Sequence, residues 1–480
     1  MMEKQDMEVR DRRIKWALLV VSLVTLVFLA VAAVQENLIA EWRVIRGRYA
    51  RMLREKATDD AGREIARQFE NRIVQNVIPA LNITDRCITC HPGIDDPRMA
   101  DEKQPYRTHP GDYLEKHPPE QYGCTICHQG QGRATVFADA KATDVHWDYP
   151  LLPKEFAQSS CAMCHAPDAI REYAPLAAKG YELFVEKGCY GCHKVAGVGG
   201  AMGLPLDTVG VKKKAAFPLA YIEGEHTIAN WHVEHLMDPQ KIVAGSTMKN
   251  FNFSYDEALA LTNYILSLRG LPIPMNYIPK DRIEYEYHKA FRKTLPGEEL
   301  YKRYCYACHQ DGLTSHYDPI LKRYIPTVRN PAFTAIATDE FLKKNIEKGR
   351  PGRDMPAWEE QAGGLREDEI LNIVAYLRGA TPLSPDYDEQ YRAAGNPERG
   401  AFLYERNCAG CHGPTGRGIQ APALANRVFQ ETATDAYIKA TIERGRHGTT
   451  MTGFAQDSPS FAALTKEEIE DLVTFVRTLQ

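Results

Sequence analysis

The sequence lacks an excess of charge of either sign. Its 480 residues carry a formal net charge of -4 at pH 7. This balance provides no extended basic surface for nucleic acid, and it offers no field that would attract an acidic substrate. We therefore expect no nucleic-acid partner. A single hydrophobic core rarely grows past about 250 residues, so several domains are expected.

The sequence also lacks any cysteine outside one motif. All twelve cysteines fall into copies of Cys-x-x-Cys-His, the attachment signature of haem c. Two thiols at this spacing can both form thioethers to one porphyrin, and the adjacent imidazole then reaches the iron as the proximal ligand. Zinc ribbons, redox dithiols and structural disulfides do not require a histidine after every pair. The sequence therefore predicts six haem c groups, held by Cys87, Cys90 and His91; Cys124, Cys127 and His128; Cys161, Cys164 and His165; Cys189, Cys192 and His193; Cys305, Cys308 and His309; and Cys408, Cys411 and His412.

One uncharged apolar run occupies residues 16–34, close to the roughly 20 residues that cross a bilayer. It predicts a transmembrane anchor. A cleaved signal peptide is the alternative, because Ala30-Val31-Ala32 resembles a cleavage site, although its apolar region would normally be about 7–15 residues long. Basic residues flank both ends, so charge does not decide the orientation. Because haem c is attached outside the cytoplasm, we expect a single-pass protein of the bacterial inner membrane, with its N-terminus inside and its haem domains in the periplasm.

The stretch at 35–86 predicts a helical stalk. Apolar residues recur there at steps of three and four, which favours a helix that packs on another surface. That surface could belong to a partner subunit or to the protein's own haem domain. The two apolar series are separated by a break at 58–62 and consist of Leu38, Trp42, Ile45, Tyr49 and Met52, then Ile65, Phe69, Ile73 and Val77.

One stretch of the sequence contains three haem motifs and shows little apolar periodicity. An internal repeat follows it. Each of the three repeat units begins with a glycine, places an aromatic residue four positions later, and continues into a haem motif. Each ends in an amphipathic segment with an aromatic residue on its apolar face. A small residue on one helix and an aromatic residue on another allow a close crossing. The three sets are Gly180, Phe184 and Tyr264; Gly297, Tyr301 and Tyr376; and Gly400, Tyr404 and Phe475.

Each unit resembles a small class I cytochrome c domain, and this resemblance covers residues 176–480. The N-terminal part, with THPGDYLEKHPPEQYGCTICHQGQG and HWDYPLLP before CAMCH, is similar to membrane-bound multihaem cytochromes associated with bacterial bc-type quinol-oxidising complexes. The predicted fold class is mainly α. We expect a cytoplasmic N-terminus at 1–15, the transmembrane anchor at 16–34, the stalk at 35–86, a haem-packed trihaem module with little regular structure at 87–172, and monohaem cytochrome c domains at 173–272, 273–382 and 383–480.

A distal ligand is expected at each iron that only passes electrons. In each of the three repeats a methionine in a comparable context stands between the haem motif and the last helix, namely Met248, Met355 or Met451; Met202 and Met237 of the first repeat lack that context. A lone methionine is more often core filler, but the repeated context predicts three distal ligands. His235 is the rival of Met248.

The trihaem module contains three histidines besides its proximal ones: His109, His117 and His146. Three spare imidazoles for three irons predict bis-histidine ligation, and the sequence leaves open which imidazole reaches which iron. Met99 is the alternative ligand in this region.

Methionine ligation raises a haem potential relative to histidine ligation, so electrons are expected to run from the trihaem module towards the C-terminus. We predict an electron-transfer subunit with no catalytic residues. Its expected donor is a bc-type quinol-oxidising complex with a cytochrome b-type subunit, and its acceptor a periplasmic cytochrome c or a terminal oxidase. The alternatives are a multihaem enzyme with an open haem, such as a nitrite or hydroxylamine reductase or a peroxidase, and a stand-alone quinol dehydrogenase.

Overall fold

The computed structural model describes residues 2–144, 146–270, 272–291, 294–458 and 462–480. It is mainly helical, which confirms the predicted fold class, and it divides into two compact units, Met1–Ser160 and Cys161–Gln480. The third haem motif therefore groups with the units that follow it, although the predicted trihaem module at 87–172 spans the division. The bounds of that module stay a prediction.

The first unit consists of three longer helices, one hairpin and several single turns. Between residues 87 and 160 each described α-helix is only four residues long, in keeping with the expected lack of regular structure. The elements are α1 (Met2–Asn37), α2 (Glu41–Glu55), α3 (Asp60–Gln68), β1 (Asn76–Ile78), β2 (Ile83–Asp85), α4 (Cys87–Cys90), α5 (Tyr113–Lys116), α6 (Pro119–Tyr122), α7 (Thr125–His128) and α8 (Phe137–Ala140).

Helix α1 contains the predicted anchor at 16–34, and its side chains there are exposed. Within the part of the chain that the structure describes, one helix near the N-terminus is long and apolar enough to cross a membrane. Exposure of so many large apolar side chains is unfavourable in water and favourable in a bilayer. The helix therefore suits a membrane anchor.

Helices α2 and α3 pack against the haem region of their own unit, the second of the two arrangements expected for the stalk. Tyr49 and Leu53 of α2 form a buried cluster with Ala66 of α3 and with Met99 and Tyr106. The Tyr49 hydroxyl also donates to the Asp96 carboxylate at 3.0 Å. These contacts secure the stalk to the segment after the first haem motif.

The second helical series ends earlier than its spacing predicts. Helix α3 stops at Gln68, and Val77 lies in β1, which pairs antiparallel with β2. Tertiary hydrogen bonds account for the change: the backbone of Val74 bonds the Thr89 hydroxyl, and the Asn76 side chain donates to the Pro119 carbonyl. The backbone here is bound to the haem region and cannot continue as a helix.

The second unit holds the three repeats. Their elements are α9 (Cys161–Cys164), α10 (Pro175–Glu186), α11 (Ile228–Met237), α12 (Pro239–Ile242), α13 (Tyr255–Ser267), α14 (Lys280–Phe291), α15 (Gly297–Tyr304), α16 (Tyr306–His309), β3 (His316–Asp318), β4 (Arg323–Ile325), α17 (Pro331–Thr334), α18 (Asp339–Lys348), α19 (Glu367–Arg378), α20 (Pro397–Asn407), α21 (Ala409–His412), α22 (Arg427–Thr432), α23 (Asp435–Arg444) and α24 (Lys466–Thr478). The predicted amphipathic segments are confirmed as α13, α19 and α24.

Each repeat is built on a crossing of its first and last long helices: α10 with α13, α15 with α19, and α20 with α24. A Cβ atom added to Gly180, Gly297 or Gly400 would overlap a backbone carbonyl of the facing helix. It would also lie 2.9, 2.8 and 2.8 Å from the Cβ atoms of Tyr264, Tyr376 and Phe475, respectively. Only glycine permits this approach, so the predicted close crossing is confirmed in all three repeats.

The buried aromatic residue after each glycine completes the crossing. The ring centroids of Phe184 and Tyr264, Tyr301 and Tyr376, and Tyr404 and Phe475 are separated by 5.2, 5.3 and 5.2 Å. Such tilted or edge-on aromatic pairs add roughly 0.5–1.5 kcal/mol beyond their buried area. The same geometry thus supports the helix pair in each unit.

We expect Gly400→Ala to destabilise the last repeat by about 1–3 kcal/mol, the usual cost of overpacking, because its methyl group would overlap the backbone of Asp471. The measurement is thermal unfolding of the purified holoprotein, followed by Soret ellipticity. Gly47→Ala in α2 is the control, since its added Cβ meets only the Asn71 side chain at 3.7 Å. Equal melting of both variants and wild type would contradict the packing argument.

Candidate haem-binding sites

Every haem motif adopts the same single turn of helix. The backbone N–H of the histidine donates to the carbonyl of the first cysteine at 2.8–3.0 Å in all six copies. This bond brings both cysteines and the histidine to one side of the turn. The repeated geometry is what attachment of a planar group through two sulfurs and one imidazole requires.

In the three repeats, the predicted proximal imidazoles are oriented by backbone carbonyls. Nδ1 of His193, His309 and His412 lies 2.8, 3.2 and 2.9 Å from the carbonyl oxygens of Leu204, Pro326 and Pro422. A proton on Nδ1 leaves the Nε2 lone pair for a metal. Burial lowers the pKa of all three histidines, which favours the neutral, ligating form.

His165 of the third motif has a different partner. Its Nδ1 lies 3.1 Å from Oδ1 of Asp281, and the other carboxylate oxygen accepts the Ala166 backbone N–H at 2.8 Å. Sequence reasoning missed Asp281, which follows the proline-rich segment 272–279. Asp281 belongs to no haem motif and to none of the repeated patterns, so nothing in the sequence indicated this contact.

Two pairs of haem motifs are in direct contact. The thiols of Cys87 and Cys124 and a carboxylate oxygen of Asp85 all lie within 4.8 Å of one another. In the fourth and fifth motifs, a Cβ atom added to Gly191 would lie 3.5 Å from the Ala307 Cβ, and interaction with the Cys192 thiol raises the pKa of Cys308. Motif one therefore lies against motif two, and motif four against motif five.

The loops that carry Met355 and Met451 share one conformation. The backbone N–H of Arg350 donates to the Met355 carbonyl at 2.9 Å, and that of Arg446 to the Met451 carbonyl at 2.7 Å. Each methionine follows a helix capped by a threonine, α18 by Thr338 and α23 by Thr434. This equivalence supports equivalent roles for the two methionines.

Met248 lies in a different loop, after the additional short helix α12. Its rival, His235, stacks on Trp231 with a centroid separation of 4.5 Å. Burial, and then the coulombic effect of nearby His193, lower the pKa of His235 to about 4. Met248 and His235 both remain candidates for the distal ligand of the fourth haem.

The spare histidines of the first unit occupy different surroundings. The rings of His109 and His128 lie 6.2 Å apart, and Nδ1 of His117 lies 3.2 Å from the Tyr113 carbonyl oxygen. The His146 side chain is 87% exposed, with Nε2 3.9 Å from Asp144. Met99, the alternative ligand, is fully buried in the stalk cluster. The ligand roles of all three histidines stay predictions.

Two half-buried arginines provide a test of whether haem fits the last two repeats. The Nη1 atoms of Arg350 and Arg446 are buried and have no hydrogen-bond partner among the described residues. Burial lowers the pKa of Arg350 to about 10. Buried charges are normally paired, and haem propionates are carboxylates that could accept from both guanidinium groups. The orphaned donors thus fit a haem in each domain.

The last two repeats exchange equivalent contacts. The Asn330 amide donates to the His447 carbonyl and the Asn426 amide to the Pro351 carbonyl, each at 3.0 Å. Reciprocally, the Arg446 guanidinium lies 4.7 Å from the Phe333 ring centroid and that of Arg350 lies 5.6 Å from Phe429. Sequence reasoning missed this pairing. The signal was a shared Asn-x-x-Phe after each haem motif, at 330–333 and 426–429.

Comparison with known proteins identifies the domains. Residues 177–269 and 397–480 match the family described as Cytochrome c, and residues 292–377 match Cytochrome C oxidase, cbb3-type, subunit III. The chain is a multi-domain c-type cytochrome. Its cytochrome c domains and paired cysteines imply several haem c sites.

The curated relatives of this cytochrome cover only part of it. It is 34% identical over 170 residues to the cbb3-type cytochrome c oxidase subunit CcoP of Azospirillum sp. (strain B510), which covers 32% of this chain and 53% of that protein. It is 33% identical over 89 residues to subunit FixP of Bradyrhizobium diazoefficiens, 18% of this chain and 29% of that protein. The chain thus spans about half or less of these relatives.

A solved structure also overlaps this cytochrome. The Kuenenia stuttgartiensis reducing HAO-like protein complex Kustc0457/Kustc0458 covers 39% of this chain and 97% of its own, at 19% identity and a TM-score of 0.25. A similarity at this level carries no argument about function.

If Arg446 binds a propionate, Arg446→Gln should lower the midpoint potential of one haem, because a cation near the iron favours the reduced state. The measurement is a spectroelectrochemical titration of the purified cytochrome. Arg444→Gln is the matched control: Arg444 is exposed and pairs with Asp386 at 2.5 Å. Identical titrations for the two variants would contradict this role.

Proposed function

We propose that this cytochrome is a membrane-anchored hexahaem electron relay. It takes electrons from a bc-type quinol-oxidising complex with a cytochrome b-type subunit and delivers them to a cbb3-type terminal oxidase. The haem domains lie in the periplasm, and α1 crosses the inner membrane with its N-terminus inside. The single observation that carries the proposal is the contact within two pairs of haem motifs, the first with the second and the fourth with the fifth.

The contact between the fourth and fifth motifs is the more extensive. Besides the interaction between the thiols of Cys192 and Cys308, Gly191 would bring a Cβ atom within 3.1 Å of the Tyr304 carbonyl and 3.5 Å of the Ala307 Cβ. A side chain at Gly191 would push the motifs apart. With sulfurs this close, two attached porphyrins would meet near their edges, and electron transfer is fastest between closely spaced edges.

The contact between the first two motifs is organised by Asp85. This carboxylate is fully buried and accepts the backbone N–H of Cys124 at 2.7 Å. It holds the start of motif two beside Cys87. The same argument then applies to the first two haems, so that both units contain a closely spaced haem pair.

Distal ligation supports the direction of flow. The rings of His109 and His128 lie 6.2 Å apart, a separation at which both imidazoles could be held by one iron. We infer bis-histidine ligation, with His117 and His146 as the other distal ligands. Met248, Met355 and Met451 complete the last three haems. Methionine raises the potential, so electrons move towards the C-terminal domains.

The similarity to cbb3-type oxidase subunits supports the choice of acceptor. It includes residues 292–377, which hold the fifth haem motif. The donor rests on the resemblance of the N-terminal region to cytochromes of bc-type complexes. A chain whose haems exchange electrons with both the quinol-oxidising complex and the oxidase would connect quinol oxidation to oxygen reduction without a diffusing carrier.

The ligand assignment predicts that Met451→His keeps the last haem six-coordinate and low-spin but lowers its midpoint potential, because histidine replaces methionine. Potentiometric titration with electron paramagnetic resonance measures both properties. Met275→His is the control, since the Met275 side chain is 75% exposed. If Met451→His leaves every midpoint unchanged, Met451 is not a ligand.

The partner assignment predicts that native purification in mild detergent yields this chain together with cytochrome b and cbb3-type oxidase subunits. In that preparation, quinol should reduce the chain's haems and oxygen should reoxidise them. A preparation with molybdenum or iron–sulfur subunits instead would contradict the assignment. So would a lone chain that is reduced by quinol at the same rate.

A further inference from the structure

We infer that Asp281 makes His165 an electron-rich ligand, and that this lowers the potential of the third haem and sets a downhill step to the fourth. The inference rests on the haem ligation proposed above and adds a residue outside every haem motif. Asp281 acts through His165 and is therefore a positioning residue.

The geometry is that of a carboxylate anchored on two sides. One oxygen of Asp281 lies 3.1 Å from Nδ1 of His165, and the other accepts the Ala166 N–H at 2.8 Å. The second bond fixes the carboxylate plane relative to the motif, so the first cannot easily rotate away. Neither side chain is freely solvated, with exposures of 28% and 26%.

The chain folds back after the α10–α13 helix pair, and Asp281 thereby reaches His165. Asp281 lies in the first turn of α14, after the proline-rich segment. The segment at 272–279 is thus more than a spacer between domains. Tyr285, one turn later on α14, bonds the Tyr181 hydroxyl of α10 at 3.2 Å, which keeps the helix against the same unit.

The other proximal histidines make the chemical difference clear. His193, His309 and His412 each face a neutral carbonyl. A carboxylate draws the Nδ1 proton more strongly and raises the basicity of the ligating nitrogen. A more basic ligand stabilises ferric iron over ferrous iron, so the potential falls. Second-shell hydrogen bonding is one of the means by which proteins tune haem potentials.

The position of the third motif indicates which haem would receive an electron from the third haem. Helix α9 packs against α10 and α13, the helix pair of the domain that carries His193. If both haems are bound, one electron would pass from the haem on His165 to the haem on His193. No bond would be made or broken, and the Nδ1 proton would stay between His165 and Asp281. Asp281 would thus increase the difference in midpoint potential between the third and fourth haems.

Two cations near the same motif act against this effect. Arg269 and Arg282 both lower the pKa of Cys164, which burial raises to about 11 overall. Their charges would raise the potential of the third haem. A test of Asp281 must therefore leave both arginines in place.

The test is Asp281→Asn, which keeps the size and the acceptor oxygen but removes the charge. The full-length cytochrome, with its haem content measured, is titrated by spectroelectrochemistry and electron paramagnetic resonance. We expect one midpoint to rise, with a change in the g-values of one haem, while the others stay. Glu284→Gln is the matched control, because it removes a charge from an exposed position of the same helix.

Unchanged midpoints in Asp281→Asn, or the same shift in Glu284→Gln, would overturn the inference. If Asp281→Asn does not accumulate, Asp281→Ser removes the charge with a smaller side chain and carries the same expectation. The titration uses neither donor nor acceptor. A haem content below six would therefore count against the proposed relay, whereas six haems with an unmoved midpoint would count only against Asp281.

Discussion

The structure depends on the single turn that joins two cysteines and a histidine. Within that turn, one backbone hydrogen bond fixes three side chains on the same side, and it recurs in all six motifs. A turn this short has no core of its own. The surrounding chain must therefore supply apolar cover and an orienting partner for the imidazole, and the cover differs between the two units.

In the second unit, cover comes from the crossing of two helices at a glycine. That crossing places an aromatic pair in each of the three repeats, with a methionine in the loop before the last helix. In the first unit, cover comes from the stalk, from the β1–β2 hairpin and from loops tied down by Asp85 and Thr89. Regular secondary structure is thus scarce between the first and third haem motifs.

Local patterns predicted the parts of this molecule that local physics determines. The spacing of glycine and aromatic residues predicted the three crossings, since a missing Cβ and a facing ring leave a periodic signal in helices. The haem motifs were also recognisable from local residue spacing. Tertiary bonds decided the rest. Val77 follows a helical spacing yet lies in a strand, because residues 74 and 76 are bonded to distant segments.

Residues whose partners are far away in the sequence were not readable. Asp281 contacts a histidine more than a hundred positions earlier, and no periodicity marks such a contact. The exchanged contacts of Asn330 and Asn426 were missed although both positions carry the same short pattern, because a repeat reveals that two domains are alike and not that they touch. The choice between Met248 and His235 also depends on the path of one loop.

The reciprocal pairing of the last two domains has a consequence for how such a chain can change. Phe333 and Phe341 of one domain pack against Tyr437 of the other, so the loss of either domain would leave its neighbour with an uncovered aromatic face that favours aggregation. The two domains should therefore be gained, lost or transplanted only as a pair.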